Sequence, residues 1–305
     1  MKSEMKKKER VSQVSGTYLL GVMCLMMILV GPVHAATQEL PDPETQPVMT
    51  FVQKAAALIE KEGEKIFPEF EKKGSGWFSG DQYIFGLDLT GTRVIFPPDP
   101  STVGTNVWNL QDEAGKFRNQ IIINEVSGPK SSGWVHYMIP RPGETTSRWK
   151  SSYVMRVKAP SGKEYVIGSG LYDMKMNKIF IVDLVDDAAT LINKMGQDAF
   201  PILQDKTGPF IFQDVYIFVY TDKGINQVLP YNPEKEGTDL SNVQDQNGKL
   251  FVQEIIKTAI AHPEGGWVEY GWPKPGETKE SKKISYVRAV TVNGETLVLG
   301  SGFYQ

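Results

Sequence analysis

The sequence predicts an α+β protein made of two tandem copies of one domain, each a long N-terminal helix packed on an antiparallel sheet. Three observations carry this. The chain repeats itself at a fixed offset of 133 residues. Each copy opens with an amphipathic helical pattern. Each then runs through short β-type segments broken by turn residues. At 305 residues, with 40% apolar and 23% charged side chains, the chain has globular composition. Its 33 basic side chains do not outnumber its 36 acidic ones, so nothing supports a nucleic-acid partner.

The first segment reads as an address. Residues 1–10 (MKSEMKKKER) are basic, the 13 residues from Tyr18 to Val30 are all apolar or Gly, and Val33-His34-Ala35 ends in a small residue. This is a secretory signal pattern, with cleavage expected after Ala35. The alternative is an uncleaved membrane anchor, although the apolar run falls short of the roughly 20 residues that span a bilayer. The only cysteine, Cys24, lies inside this run. Cleavage leaves 28 basic against 34 acidic side chains, two histidines and no cysteine. Disulfides, thiolate metal sites and cysteine nucleophiles are thereby excluded. A periplasmic or secreted location is expected. Residues 36–46, with two prolines and no periodicity, read as a linker.

The repeat sets the domain bounds at 47–173 and 174–305. Asp81-x-Tyr83-Ile84-Phe85 returns as Asp214-x-Tyr216-Ile217-Phe218, and Gly115-Lys116 as Gly248-Lys249. Gly133-Trp134-Val135-x-Tyr137 returns as Gly266-Trp267-Val268-x-Tyr270, and Lys150-x-Ser152-Tyr153-Val154 as Lys283-x-Ser285-Tyr286-Val287. After a one-residue deletion, Gly168-Ser169-Gly170-x-Tyr172 matches Gly300-Ser301-Gly302-x-Tyr304. A period of a whole domain excludes a solenoid.

Within each copy the order is long helix, two strands, short helix, three strands. Val48, Phe51, Val52, Ala55, Leu58 and Ile59 recur at helical spacing, as do Ile179, Val182, Val185, Ala189 and Ile192. Strands follow at Tyr83–Phe85 and Val94–Phe96, and at Tyr216–Tyr220 and Val228–Leu229. A short helix fits Phe117–Val126 and Phe251–Ala261. Three strands then run from Trp134, Tyr153 and Tyr165, and Asn293-Gly294 between Val-rich runs is a hairpin signal.

These motifs resemble the Cache family of extracytoplasmic sensor domains, in its single-Cache type 2 form. The resemblance rests on Gly76-Trp77-Phe78-Ser79-Gly80-Asp81-Gln82-Tyr83-Ile84-Phe85, Pro98-Asp99-Pro100 with Gly104, and the Gly-Trp, Lys-x-x-Tyr-Val and Gly-Ser-Gly-x-Tyr strands of both copies. It implies a PAS-like fold, a five- or six-stranded sheet behind a long helix, and a pocket for a small ligand, often a short organic acid. Two departures stand out. A histidine frequent in the family before Pro-Asp is Pro97 here and Pro230 in the second copy. The second copy also has Tyr231-Asn232 in place of Pro98-Asp99. The pocket is therefore expected to differ between copies, or to be lost in one.

The ligand-binding set read from the sequence is Lys150, Tyr153, Tyr137, Trp134 and Tyr83, with Lys283, Tyr286, Tyr270, Trp267 and Tyr216 as their repeats. An ammonium at the start of an apolar strand can neutralise a carboxylate; a solvated strand-end lysine is the plainer reading. Tyrosines can line an apolar pocket and offer hydroxyls, or simply pack. Lys150 and Tyr153 are three apart, so a regular strand puts them on opposite faces, and sharing a pocket requires the strand to begin or bulge between them. Trp134 shares a face with His136, and packing is the better reading of the tryptophans. Asp112 and Asp245 read as turn residues, Asp186-Asp187 as a solvated helix face, and the Gly-Ser-Gly glycines as room for the long helix against the sheet. The two histidines, His136 and His262, do not repeat, so no metal is expected, no cofactor is implied, and hydrolase chemistry has no carrier. The expected role is recognition of a small organic anion. No second apolar span follows, so signalling is expected to need a membrane receptor, kinase or transporter as partner. The alternative is a structural or protein-interaction module without ligand.

Overall fold

The computed structural model describes residues 43–305. The expected signal segment 1–35, and residues 36–42 of the expected linker, lie outside the described residues. Thr45 and Gln46, also read as linker, are already helical: α1 spans Thr45–Glu62.

In the first copy α1 buries Val48, Val52, Ala55, Ala56 and Ile59, one stripe at helical spacing. It stops at Gly63, which takes φ 69° and returns its N–H to Ile59 O, a left-handed end that glycine adopts without a Cβ clash. A short α2 (Phe67–Glu71) and a small hairpin of β1 (Phe78–Ser79) and β2 (Gln82–Tyr83) lead into the sheet. The strands are β3 (Phe85–Asp88), β4 (Arg93–Ile95), β5 (Ser132–Pro140), β6 (Ser147–Lys158) and β7 (Glu164–Tyr172), with α3 (Arg118–Glu125) between β4 and β5. Their spatial order is β4-β3-β7-β6-β5, all antiparallel.

The second copy repeats this as α4 (Lys178–Met195), α5 (Phe200–Gln204), hairpin β8 (Ile211–Phe212) and β9 (Val215–Tyr216), β10 (Phe218–Thr221), β11 (Asn226–Val228), α6 (Phe251–Ala261), β12 (Gly266–Pro273), β13 (Glu280–Val292) and β14 (Glu295–Tyr304). Its order is β11-β10-β14-β13-β12. Asn177 caps α4, its Oδ1 accepting from Ile179 N at 3.1 Å. The β13–β14 turn is Asn293-Gly294 at φ 53° and 83°, the two-residue turn whose twist matches a hairpin.

Each sheet therefore has two working faces. One packs on the long helix: Tyr153, Val157, Tyr165 and Ile167 against α1, and Tyr286, Val290, Leu297 and Leu299 against α4. The other face carries Phe85, Leu87, Tyr137, Val154, Val166 and Tyr172 beneath α3, or Phe218, Tyr220, Tyr270, Val287 and Val298 beneath α6.

Three sequence expectations need correction. Lys150 and Lys283 do not start strands. They lie well inside β6 and β13, with no exposed surface. The pairing of β6 with β5 and β7 runs without a bulge, so Lys150 and Tyr153 stay on opposite faces. The glycines of the terminal strand do not face the long helix. Gly168 and Gly170 alternate with Ile167 and Ser169 and lie on the α3 side. A Cβ on Gly168 would sit 2.6 Å from Phe85 Cζ, and one on Gly170 would overlap the Ser151 carbonyl and Ser152.

Candidate functional site

Five cationic or hydroxyl-bearing side chains converge on the α3 side of the first sheet. Lys150 points there from β6 and Tyr137 from β5, Tyr83 ends β2, Arg93 comes from β4, and Arg118 opens α3. A cavity of about 20 Å³, room for roughly one water, is walled by Tyr83, Phe85, Arg93, Phe96, Arg118, Asn119 and Tyr137.

The electrostatics are one-sided. Lys150 Nζ lies 3.8 Å from the Tyr83 ring centre and 4.7 Å from that of Tyr172, and no protein acceptor bonds it among the described residues. Burial pulls its pKa down to about 7, offset only in part by Asp81. Arg118 is 9% exposed and no carboxylate pairs with it among the described residues. Burial lowers its pKa too. Arg93 stacks over Phe96 at 4.2 Å; burial, then repulsion from Arg118, lowers it as well. Arg93 and Arg118 thus line the cavity with no bonded carboxylate among the described residues, and Lys150 lies against its Tyr83 wall. Both lining cations are guanidiniums, whose fork can match a carboxylate.

Hydroxyls complete the wall. Tyr83 and Tyr172 hydroxyls lie 3.2 Å apart, Tyr172 donates to Pro140 O at 3.0 Å, and Tyr137 meets Ser152 Oγ at 2.9 Å. Burial pushes all three phenols up, so they stay protonated as potential donors. Asn119 is held by Val107 O at 2.7 Å.

Of the ten sequence-read residues, Lys150, Tyr137 and Tyr83 are brought together here. Trp134 and Tyr153 are not: they pack on each other, ring centres 5.5 Å apart, on the long-helix face. Trp267 and Tyr286 pair in the same way at 5.2 Å. The period-two alternation of a strand, unrelieved by any bulge, removes these four from the pocket face.

The second-copy trio, Lys283, Tyr270 and Tyr216, has the same relative placement. Lys283 Nζ is 3.9 Å from the Tyr216 ring centre and has no protein acceptor among the described residues. The surroundings differ. The repeat partners of Arg93 and Arg118 are Asn226 and Phe251, and those of Leu87 and Ile139 are Tyr220 and Trp272. Phe251 stacks flat on Tyr270 at 4.8 Å and against Trp272 at 5.4 Å. Aromatic rings thus occupy the space where the first copy has charge.

Arg93 and Arg118 escaped the sequence reading, which sought residues that repeat. The available signal was the opposite one, two cations in one copy whose partners are neutral.

A larger cleft of about 620 Å³ lies between the copies, walled by Phe117, Ile121, Trp134, Phe180, Leu184 and Phe210 among others. Its size suits a ligand, and its wall includes Trp134, whose buried indole Nε1 has no hydrogen-bond partner among the described residues. At its margin Lys130 Nζ is 2.6 Å from Glu125, 2.7 Å from Asp183 and 2.9 Å from Asp187. These acids are the one trio among the described residues spaced to hold a metal, and Lys130 Nζ already bridges all three. Asp187 is therefore no solvated helix residue, as its sequence context implied. Burial, then repulsion from Asp183, raises it to about 6, and burial raises Glu125 to about 8. Asp186 pairs with Arg288 at 2.5 Å.

A long helix behind a five-stranded antiparallel sheet is the architecture of a PAS-like domain, present here twice, with the polar pocket described above in the first copy. The family model described as "Single Cache domain 2" matches residues 69–181 and again 173–305, and the chain belongs to that family. Among curated proteins it is similar to the methyl-accepting chemotaxis protein McpP of Pseudomonas putida, 33% identical over 92 residues. It is also similar to the sensor histidine kinase MctS of Rhizobium johnstonii, 34% identical over 92 residues. Each match covers 30% of this chain but only 16% and 19% of those relatives. Similar solved structures include a periplasmic sensor domain of a chemotaxis protein (33% identity, TM-score 0.35, 40% of this chain and 90% of that one). Another comes from work titled "Structural basis for carboxylic acid recognition by a Cache chemosensory domain" (28% identity, TM-score 0.33, 40% and 83%).

Proposed function

We propose that this chain is an exported sensor protein whose first copy binds a small carboxylate, with Arg118, Arg93 and Lys150 neutralising the anion and Tyr83 and Tyr137 lining it. The observation that carries this is that Arg93 and Arg118, neither bonded to a carboxylate among the described residues, line one cavity, with the buried, acceptor-free Lys150 Nζ directly against its Tyr83 wall. Burying such charges without partners is costly, and an anionic ligand repays that cost. The cavity is small, which favours two- or three-carbon acids and requires the wall to open as the acid enters.

The second copy takes the role of a structural or interaction module, because Phe251, Tyr220 and Trp272 fill its pocket face. The function is binding, not catalysis. The similarity to a chemotaxis receptor and a sensor kinase supports a membrane receptor or kinase as partner, and the basic-then-apolar N-terminus supports a periplasmic location.

The test is a thermal-shift and calorimetric titration of the purified chain with acetate, propanoate, pyruvate and lactate. Ligand at a hundred times its Kd stabilises by about 2.7 kcal/mol, or roughly 5–10 °C for a protein of this size. The shift should vanish in Arg118→Ala and persist in Lys283→Met. Flat curves across the panel for the unmodified chain refute the reading.

A further inference from the structure

Lys116 is almost fully buried, at 1% exposure, yet no acid bonds it. Its Nζ crosses from the first copy to the second and donates to Ile211 O at 2.6 Å and to Gly208 O. The repeat partner, Lys249, stays within its own copy: it donates to Glu269 O at 2.5 Å and pairs with Glu254 at 3.0 Å. One repeated residue is thus used in two ways, and only the first copy's lysine joins the copies.

Its place in the chain gives this consequence. Lys116 O accepts from Arg118 N at 2.9 Å, and Lys116 N is held by Asp112 Oδ1 at 2.9 Å. Asp112 Oδ2 in turn accepts Met138 N of β5 at 2.8 Å. The eight-residue α3 has no side-chain cap at its start. Its first turn is therefore held by this Asp112–Lys116 turn and by the grip on the second copy. Arg118, Asn119 and Ile122 of α3 face the pocket, while Phe117, Gln120 and Ile121 face the cleft on the second-copy side. A second tie runs beside it. His136 stacks on Phe212 at 3.8 Å and 8°, and the next residue is the pocket's Tyr137.

We propose that Lys116 is a positioning residue: by gripping the 208–211 carbonyls of the second copy it fixes Arg118 in the first copy's pocket, so that occupancy of the pocket is felt at 208–212. This rests on the carboxylate-binding reading for its ligand arm, but its geometric arm needs no ligand. The second copy, which has neutral residues in place of Arg93 and Arg118, becomes part of the first copy's site.

The experiment is amide hydrogen exchange on the full chain, comparing the unmodified protein with Lys116→Met and Lys116→Arg, each with and without 10 mM pyruvate as probe. Without pyruvate, the amides of Gln120 and Ile121, which donate to Phe117 O, should exchange at least tenfold faster in Lys116→Met. Those of 208–212 should do likewise, while β6 stays unchanged. Lys116→Arg, which keeps the donors, should recover most of the protection. Pyruvate should bind Lys116→Met at least tenfold more weakly and, in the unmodified chain, slow exchange at 208–212.

Faster exchange confined to 208–212, with Gln120, Ile121 and pyruvate affinity unmoved, overturns the proposal and leaves Lys116 a plain interface residue. If Lys116→Met does not fold, pyruvate-induced protection at 208–212 in the unmodified chain decides, and its absence at saturation overturns the proposal. Failure of the unmodified chain to bind pyruvate or any of the other acids counts against the functional reading instead, and the ligand-free exchange comparison still decides the role of Lys116.

Discussion

Replacing Lys150 by Met should make the ligand-free protein more stable and abolish acid binding. Lys150 is wholly buried, with no protein acceptor at Nζ among the described residues, and burial holds its pKa at about 7 against an ordinary 10.5. At 1.36 kcal/mol per pH unit, keeping the amine charged costs roughly 5 kcal/mol. The rings of Tyr83 at 3.8 Å and Tyr172 at 4.7 Å return up to about 2 kcal/mol each. Methionine has a similar reach, fills the space and carries no charge, so a net gain of about 1–4 kcal/mol is expected at pH 6. The pH dependence follows from the direction of the shift. A lysine whose folded pKa is depressed binds fewer protons folded than unfolded between about pH 7 and 10.5, so the unmodified protein gains stability as pH rises through that window. From pH 7 to 9 this amounts to about 2 kcal/mol, and the advantage of the Met variant shrinks accordingly. Urea denaturation of both proteins at pH 6, 7, 8 and 9 measures it. A Met variant less stable than its parent at pH 6, or a difference that does not change with pH, sinks the reasoning.

The same amine makes acid binding a proton-linked event. A carboxylate beside Nζ favours the charged form, so at pH 8 binding should take up close to one proton, and affinity should fall as pH rises above about 7; titration calorimetry in buffers of different ionisation enthalpy reads this directly. In the cluster between the copies, Lys130→Met leaves Glu125, Asp183 and Asp187 without their shared cation and should cost about 3 kcal/mol or more at pH 8. Much of that should return at pH 5, where Asp187 and Glu125, raised to about 6 and about 8, can protonate; urea curves at the two pH values check it.

Much of the fold was legible in the sequence because it was written twice. The helix of Val48–Ile59 and the hairpin at Asn293-Gly294 depend on local periodicity and turn chemistry, which survive without tertiary information. The candidate site was legible only in part. Lysine, tyrosine and the opposing faces of Lys150 and Tyr153 follow from strand alternation. That Lys150 lies inside its strand depends on pairing with Tyr137 and Tyr172 across the sheet, which no local pattern records. Gly168 and Gly170 were placed against the wrong layer because alternation alone does not say which face meets the helix. Arg93 and Arg118 come from elements separated by a long irregular stretch, and only the fold brings them to one cavity.

The two copies together argue for a division of labour. Both keep the inward lysine, the ring it lies over, and the tyrosine–serine pair, Tyr137 with Ser152 and Tyr270 with Ser285. These shared features support the sheet and do not by themselves make a receptor. What separates the copies is the layer above the sheet. Arg118 against Phe251 exchanges a guanidinium for a stacked ring, and Arg93 against Asn226 exchanges a cation for an amide buried beneath it. Charge without a counter-ion costs stability, whereas stacked aromatics contribute it. On the proposed reading the first copy gives up stability for a site that an anion completes, whereas the second fills that space with rings. The copy that packs tightly is also the one Lys116 grips. A pocket of mutually repelling cations gains most from such an anchor, because the wall carrying Arg118 is otherwise pushed away from Arg93.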